Sequence, residues 1–228
     1  MAYTKAQADA FIAKIAPLIQ KEATLRGYKS CAAVVAQAII EGAAGTSALA
    51  AKYNNHFGLK AGSAWMKAGK PAVNMKTKEE YTPGKLVSIN DYFRAYANME
   101  DGVKGYYDFI STARYANLKT AADYKTYATF LKNDGYATSS SYINTLCNTV
   151  VKYNLTMYDK GSMPTLRVGS TGEAVRNLQQ ILTYMGYTLK IDGIFGAKTK
   201  EAVMAFQASQ DIGVDGIVGA QTWSKLIL

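Results

Sequence analysis

The sequence predicts a mainly helical, α+β protein in which a helical domain with a small β-hairpin lobe precedes a small three-helix domain. Apolar side chains recur at helical spacing through much of residues 1–60 and 98–155. Residues 61–95 break that pattern with prolines, glycines and alternating apolar and polar stretches, which is typical of two strands and a turn. A five-residue unit occurs twice near the C-terminus, which indicates a separate repeating domain.

The first predicted helix begins almost at the N-terminus. Thr4 followed by Gln7 predicts a capping box, and an apolar stripe follows at helical spacing. The members of this stripe are Phe11, Ile15, Leu18 and Ile19. Because the stretch lacks the charged start, apolar segment and cleavage site of a secretory signal, we expect a protein made in the cytoplasm without a signal peptide.

The second predicted helix, within residues 30–45, is almost wholly apolar and ends in one carboxylate. Only Gln37 interrupts the apolar run, Ser30 is the expected N-cap, and Gly42 is a stop signal. A helix that is apolar on every side is expected to be buried in a core. Glu41 therefore lies at the C-terminal end of a core helix.

The position of Glu41 favours a protonated carboxylic acid. Helical spacing puts Ala38 and Val34 on its face, so the charged form would be poorly solvated. The partial negative charge of the helix C-terminus disfavours ionisation by about 0.3–1 kcal/mol. Both effects raise the pKa of Glu41, as a general acid at neutral pH requires. An ordinary surface glutamate at a frayed helix end is the alternative.

The same patterns organise the rest of the chain. Further helices are expected over 47–53, 98–110, 121–133 and 139–153, and a turn between two strands over 81–84. Residues 158–164 are rich in turn formers and have no periodicity, which indicates a linker. The predicted domains are therefore residues 1–157 and residues 165–228.

The second domain contains the internal repeat. Residues 192–196 (DGIFG), followed by Thr199, recur 23 positions later as residues 215–219 (DGIVG), followed by Thr222. Each copy is predicted to form a turn, in which the aspartate bonds local backbone, and then a helix capped by the threonine. With the amphipathic stretch 166–187, the domain is expected to have three helices.

Composition excludes several classes of protein. The chain has 228 residues, 49% apolar and 19% charged, and no apolar run of about 18 residues, so we expect a globular protein without membrane insertion. The net charge is +9, with 20 basic against 12 acidic residues in 1–160, which suits an anionic polymer. No Lys/Arg-dense segment or nucleic-acid-reading motif is present, so nucleic acid is not an expected partner.

The cysteines and the histidine do not predict a disulfide-bonded or metal-binding protein. Cys31 and Cys147 lie in helical patterns more than 100 positions apart and are expected to be buried free thiols. His56, the one histidine of the sequence, cannot form a multi-histidine metal site and is expected in a loop near the cleft. No metal or other cofactor is therefore expected.

Residues 38–60, AIIEGAAGTSALAAKYNNHFGLK, resemble the glucosaminidase domain of bacterial and phage cell-wall hydrolases. In that family a helix-ending glutamate is followed by Gly, a Ser, Leu-Ala and Asn-Asn-x-Phe-Gly-x-Lys. The resemblance continues in residues 92–110, 113–118 and 135–155. It implies a lysozyme-like fold in which Glu41 is the catalytic acid.

Residues 166–228 resemble the small peptidoglycan-binding domain attached to many wall hydrolases. The resemblance implies bacterial peptidoglycan as the partner. Anionic wall polymers are further candidate partners because of the positive charge of the first domain. We expect the protein to act as a monomer.

Glycoside hydrolysis usually needs a second group besides the acid. The resemblance implies a glutamate of the hairpin, and the Glu-Tyr dipeptide before the turn best matches Glu80. Adjacent strand residues point to opposite faces, so one of Glu79 and Glu80 is expected in the cleft, with Glu79 as the substrate-binding candidate. Covalent, water-mediated and substrate-assisted routes all stay open, since the N-acetyl group of the substrate could itself be the nucleophile.

Other site candidates also follow from the resemblance. Tyr115, in the segment ARYAN, matches a tyrosine of the family's site and is a third catalytic candidate. Candidate substrate contacts or cleft walls are Asn55, Phe57 and Tyr96.

These residues together predict an endo-β-N-acetylglucosaminidase that cuts the bond from N-acetylglucosamine to N-acetylmuramic acid. A muramidase or a lytic transglycosylase of the same architecture is an alternative, and so is a non-catalytic wall-binding protein. One catalytic domain, one binding domain and no secretion signal favour a phage endolysin, made in the host cytoplasm and acting on the wall, over a bacterial autolysin.

Overall fold

The computed structural model describes residues 3–82, 85–159 and 164–226, and the side chains of residues 78–82, 85–87 and 224 lie outside that description. The helices are α1 Lys5–Arg26, α2 Cys31–Glu41, α3 Ala48–Tyr53, α4 Ser63–Lys67, α5 Met99–Ile110, α6 Tyr124–Asn133, α7 Tyr142–Lys152, α8 Glu173–Tyr184, α9 Ala197–Ser209 and α10 Ala220–Leu226. Two 3₁₀ helices are Ala113–Thr120 and Leu155–Tyr158. The strands are β1 Ala72–Thr82 and β2 Lys85–Arg94. The predicted mainly helical class with one hairpin is confirmed.

Helix α2 lies at the centre of the first hydrophobic cluster. Every residue from Cys31 to Ile39 is buried, and the helix packs against α1, α6, α7 and the 3₁₀ helix Leu155–Tyr158. The prediction of a core helix is therefore confirmed. The capping box predicted at Thr4 and Gln7 is present at the start of α1.

The N-terminal end of α2 is capped by a residue that the local sequence does not reveal. Ser30 occupies the N-cap position, but its side chain makes no capping hydrogen bond to the helix. Instead the Ala32 amide donates to the carboxylate of Asp159 at 2.8 Å. Asp159 follows the last element of the first cluster, so a residue 127 positions away replaces the predicted serine cap.

Strands β1 and β2 form an antiparallel hairpin. Its register pairs Val73 with Phe93 and Thr77 with Ile89. The base of the hairpin is fastened to the chain after α3, since the Arg94 amide donates to the Leu59 carbonyl at 2.9 Å. The predicted strand pair is confirmed, but β1 extends through Thr82, so residues 81–82 of the predicted turn belong to the strand. Residues 83–84 of that turn lie outside the described residues.

The two repeat units of the second domain fold in the same way. In the first unit, Gln179 accepts from the Gly193 amide at 2.8 Å and donates to Asp192 at 3.0 Å and to the Thr199 hydroxyl at 3.2 Å. The equivalent residues of the second unit are Gln207, Gly216, Asp215 and Thr222, with distances of 2.9, 2.8 and 3.0 Å. A buried glutamine therefore holds each turn against the helix that precedes it.

The repeats confirm one prediction and correct another. Asp192 accepts from the Ile194 amide at 2.9 Å, so the aspartate bonds local backbone as predicted. The threonines, however, are not helix caps, because α9 begins at Ala197 with Gly196 at its N-cap and Thr199 lies inside the first turn. Their hydroxyls are occupied by the glutamines, which were not part of the prediction.

The described residues form two hydrophobic clusters, one spanning residues 8–158 and the other residues 166–226. Tyr158, the first residue of the predicted linker, is buried in the first cluster, and its carbonyl accepts from Gln20 at 2.9 Å. Residues 160–163 of that linker lie outside the described residues. The domain limits at 157 and 165 remain predictions.

Within the described residues, no helix is both long enough and apolar enough to cross a membrane. Both cysteines are free thiols, as predicted, but only Cys31 is buried. Cys147 is partly exposed on α7, since its helix turns that side chain toward the edge of the cluster.

The Asp159 cap can be tested by its removal. Asp159→Ala should lower the free energy of unfolding by about 0.5–2 kcal/mol, because the amide at the buried start of α2 loses its acceptor. Asp159→Asn keeps an acceptor oxygen and should retain most of the stability. Urea unfolding at pH 7 measures both variants, and an unchanged midpoint for Asp159→Ala would contradict the capping role.

Candidate active site

A cleft of about 710 Å³ opens at the C-terminal end of α2. Residues 47–49 at the start of α3 form one wall, and residues 75–77 of β1 with Phe93 of β2 form another. The segment 135–139 and the start of α7 complete it. Elements that are distant in sequence therefore meet around the carboxylate of Glu41.

The backbone after Glu41 turns sharply out of the core. A Cβ at Gly42 would lie 3.1 Å from the carbonyl oxygen of His56, so the chain passes too closely there for a larger side chain. Ala43 and Ala44 both adopt left-handed conformations, with φ of 49° and 51°, at a cost of about 1–2 kcal/mol each. This turn carries the chain directly to the wall of the cleft at the start of α3.

Glu41 has the electrostatics of a general acid. Burial raises its pKa to about 7. The Tyr142 hydroxyl lines the same cleft and is buried without a hydrogen-bond partner among the described residues. Gly58 leaves room beside the carboxylate, since a Cβ there would lie 3.5 Å from Glu41 Oε2. The raised pKa predicted from the position of Glu41 in the sequence is confirmed.

Two tyrosines that were not predicted line the cleft beside Glu41. Tyr142 is the first residue of α7, and Tyr136 lies in the segment before it. The Tyr136 hydroxyl donates to the Phe57 carbonyl at 2.6 Å, which joins the two sides of the cleft. The available signal was the hydroxyl-rich segment ATSSS, 137–141, because a polar loop between two tyrosines is typical of a binding surface.

Gln37 explains the one polar position in the core helix. Its Oε1 accepts from the Tyr106 hydroxyl at 2.6 Å, and the Tyr106 and Tyr127 hydroxyls are 2.9 Å apart. Gln37 precedes Glu41 by four positions and shares its face of α2. A layer of bonded tyrosines therefore lies beneath the cleft, where polar groups without partners would be costly.

Phe57 and Asn55, both predicted as substrate contacts or cleft walls, have different positions. Phe57 lines the cleft and stacks on Tyr106, with ring centroids 4.0 Å apart. Asn55 is buried, and its amide donates to the carbonyls of Leu59 and Arg94, each at 2.9 Å. Asn55 therefore holds the loop against the hairpin and does not line the cleft.

Tyr115 and Tyr96 also lie outside the cleft lining. Tyr115 is buried behind Tyr136, with ring centroids 6.3 Å apart. Tyr96 packs edge-on to Trp65 at 5.9 Å and covers Gly105, where a Cβ would lie 2.4 Å from the Tyr96 ring. The structure thus brings Glu41 and Phe57 together and places these two tyrosines in supporting positions.

The two hairpin carboxylates belong to the strand that forms the cleft wall. In β1, Glu79 pairs with Val87 and Glu80 with Leu86, two and three positions beyond Thr77 of the wall. Their side chains lie outside the described residues. Their roles therefore remain proposals.

His56 lies behind the turn that follows Glu41. It is buried against Phe11, with ring centroids 5.4 Å apart, and burial lowers its pKa to about 4. It lines a separate cavity of about 310 Å³ rather than the cleft. Among the described residues, no group of three or more His, Cys, Asp or Glu side chains could hold a metal ion.

The raised pKa of Glu41 predicts a pH-dependent stability difference. A folded-state pKa of about 7, against an ordinary value of 4.5, means that ionisation destabilises the folded state as pH rises through this window. Glu41→Gln cannot ionise, so its stability relative to wild type should increase between pH 5 and pH 8, by on the order of 2 kcal/mol. Urea unfolding at both pH values measures this difference.

The exposed Glu201→Gln is the matched control for that measurement. It makes the same chemical change on the surface of α9. If the free energies of unfolding of wild type and Glu41→Gln change with pH in parallel, folding does not shift the pKa of the Glu41 carboxyl.

Two families match consecutive parts of the chain. Residues 16–155 match the glucosaminidase family, described as mannosyl-glycoprotein endo-beta-N-acetylglucosaminidase. Residues 171–226 match the peptidoglycan binding domain family. The first match covers more than half of the chain and includes Glu41 and the whole cleft.

Individual relatives agree with these matches. The exo-glucosaminidase LytG of Bacillus subtilis is 33% identical over 132 residues, 55% of this chain and 45% of that protein. The peptidoglycan hydrolase FlgJ of Pseudomonas aeruginosa is 35% identical over 143 residues, 60% of this chain and 34% of that protein. The alignments thus span less than half the length of these curated relatives.

A solved structure has the same fold. The crystal structure of a peptidoglycan hydrolase mutant from Sphingomonas sp. A1 superposes with a TM-score of 0.58 at 29% identity, over 66% of this chain and 97% of that one. With the family match across residues 16–155, this protein belongs to the glucosaminidase family and carries a C-terminal peptidoglycan binding domain.

Proposed function

We propose that the protein is a peptidoglycan hydrolase that acts as an endo-β-N-acetylglucosaminidase. It would cut the β-1,4 bond from N-acetylglucosamine to N-acetylmuramic acid within the glycan strand. The observation that carries this proposal is Glu41, a carboxyl group with a pKa raised to about 7 at the end of a buried helix and in an open cleft. Membership of the glucosaminidase family supports the choice of bond.

In this mechanism Glu41 protonates the glycosidic oxygen as the bond breaks. The Tyr142 hydroxyl, which is buried in the cleft lining without a hydrogen-bond partner among the described residues, would donate to the anion that remains after proton transfer. The Phe57 face and the Tyr136 ring border the sugar site. Because the Phe57 ring stacks on Tyr106 and the Tyr136 hydroxyl donates to the Phe57 carbonyl, the site is largely formed before substrate binds.

A second group completes the reaction on the other face of the sugar. We assign this role to Glu80, with Glu79 as a substrate-binding residue, because both follow the β1 segment that forms the cleft wall. This role has three possible forms. The carboxylate is the nucleophile, or it activates a water molecule, or it orients the substrate's acetamido group. Tyr115 would act through Tyr136, against which it packs.

The second domain would hold the enzyme on its polymer. Peptidoglycan is the expected partner because residues 171–226 match the peptidoglycan binding domain family. Tethering raises the local concentration of substrate at the cleft. The net charge of +9 would add attraction to anionic wall polymers, and this attraction weakens as salt rises.

The protein would be made inside a cell and would act on the peptidoglycan of a bacterial cell wall. The relatives described above come from bacteria, and they give no support to a phage endolysin. One of them is named an exo-glucosaminidase. Product length therefore matters, since an endo enzyme releases longer fragments from intact strands.

The central test replaces the acid. Purified wild type should clear a peptidoglycan suspension, and the fragments should reduce to N-acetylglucosaminitol. Glu41→Gln should lose about 10²–10⁴-fold in rate while it stays folded, because the amide has no proton of suitable acidity to donate. For wild type, kcat/KM should fall as pH rises through about 7, since the acid must be protonated.

The products also separate the alternatives. Muramic ends would identify a muramidase, and anhydro ends a lytic transglycosylase. Wild type that sediments with walls but releases no reducing ends would be a non-catalytic binding protein. A Glu41→Gln variant with the wild-type rate would remove Glu41 from the mechanism.

The hairpin carboxylates are tested in parallel. Glu80→Gln should lower kcat with little change in KM, whereas Glu79→Gln should mainly raise KM, because we assign chemistry to the first and binding to the second. Steady-state kinetics on soluble glycan fragments measures both. The reverse pattern would exchange the roles of Glu79 and Glu80. An unchanged kcat in both variants would mean that neither glutamate assists the reaction.

A further inference from the structure

A groove of about 810 Å³ runs between α1 and α8, so each domain supplies one wall. The α1 wall is a strip of methyl groups from the exposed Ala6 and Ala10 and the buried Ala13. The α8 wall presents Gln180, Thr183 and Tyr184, with Ile191 beyond the helix end. We call this feature the interdomain groove. It is distinct from the cleft, with which it shares no lining residue.

Gln180 gives the interdomain groove an unused polar group. The residue is about nine-tenths buried and lines the groove, yet its side chain has no hydrogen-bond partner among the described residues. The neighbouring Gln179 shows the contrast, since both ends of its amide are bonded within its own domain. A buried amide of this kind favours a ligand that can both donate and accept.

Lys14 gives the groove an unused positive charge. The other cations of its lining are paired with acidic residues on their own helices: Lys5 with Asp9 at 2.7 Å, and Arg176 with Glu173 at 3.5 Å. Lys14 has no carboxylate partner among the described residues, and its ammonium lies over the Tyr184 ring, 5.5 Å from the centroid. An anionic ligand would therefore complete the charge balance of the groove.

We infer that the interdomain groove binds the stem peptide of peptidoglycan, a short, alanine-containing peptide that carries carboxylates. The choice of polymer rests on the proposed function. Alanine methyl groups of the peptide would pack on the strip on α1, a peptide group would bond Gln180, and a carboxylate would pair with Lys14. The binding site is then built by both domains and not by the C-terminal domain alone.

A peptide fits this groove better than a glycan strand does. Each sugar carries several hydroxyl groups, and burial of those groups requires a dense set of polar partners. The described walls of the groove are mainly apolar, and one face of Tyr184 is already occupied by Lys14. A glycan would therefore leave many of its hydroxyls without partners there.

The test uses the full chain carrying Glu41→Gln and the free tetrapeptide L-Ala-γ-D-Glu-diamino acid-D-Ala. Calorimetric titration should show binding of the tetrapeptide and weaker binding of a peptide-free disaccharide. Lys14→Met and Gln180→Leu should each weaken tetrapeptide binding about tenfold, because each removes one of the two unused groups. Ala6→Trp, at an exposed position, should block the groove with a bulky ring.

Lys67→Met is the matched control, since it removes the same charge from exposed helix α4 and should leave the affinity unchanged. Thermal unfolding verifies that each variant is folded. Absence of tetrapeptide binding, or binding that all three groove variants leave intact, would overturn the inference. Stronger binding of the disaccharide, lost in the same variants, would make the groove a glycan site instead.

The outcome is separable from that of the proposed function. When the groove substitutions are made in a chain that retains Glu41, the variants should release reducing ends from peptide-stripped glycan at the wild-type rate. The substituted residues lie outside the cleft. If wild type releases no reducing ends but binds the tetrapeptide, the proposed activity fails and the peptide site stands.

Discussion

Helix α2 is buried on every side, and this burial constrains the rest of the first domain. A buried helix must have the polar groups at its ends satisfied by other parts of the chain. Asp159 does so at the N-terminal end, across 127 positions of sequence. At the C-terminal end, the close passage at Gly42 and the left-handed turn through Ala43 and Ala44 lead the chain away. Glu41 is therefore held at the point where the core meets the cleft.

Local patterns were sufficient for much of this arrangement. The apolar run of α2 predicted its burial, because a helix that is apolar on every side must be covered by other elements. The carboxylate at the end of that helix predicted the raised pKa of Glu41. The alternating stretches predicted the hairpin, and the repeated DGIFG and DGIVG units predicted two equivalent turns. In each case the pattern that predicts the structure lies within one short stretch of sequence.

The features that the sequence did not reveal depend on long-range contacts. Tyr136 and Tyr142 reach Glu41 across about 100 positions, and no spacing rule relates them. Asn55 belongs to the family motif, but the motif does not reveal that the Asn55 amide donates to the carbonyls of Leu59 and Arg94. Likewise, Thr199 and Thr222 are of a residue type that caps helices, but their hydroxyls accept from the buried Gln179 and Gln207.

Glu41, Asp159 and His56, which lie near the two ends of α2, act on stability in opposite directions. Burial raises the pKa of Glu41 to about 7 and of Asp159 to about 6, so their ionisation destabilises the folded state as pH rises through those windows. Burial lowers the pKa of His56 to about 4. The neutral imidazole therefore contributes to the stability of the fold fully above pH 6.5, and this contribution is lost as pH falls toward 4. Near neutral pH the fold therefore keeps the imidazole behind the turn uncharged while a substantial fraction of Glu41 still holds its proton. The same burial that makes Glu41 a suitable acid thus sets the pH range in which the helix carrying it is stable.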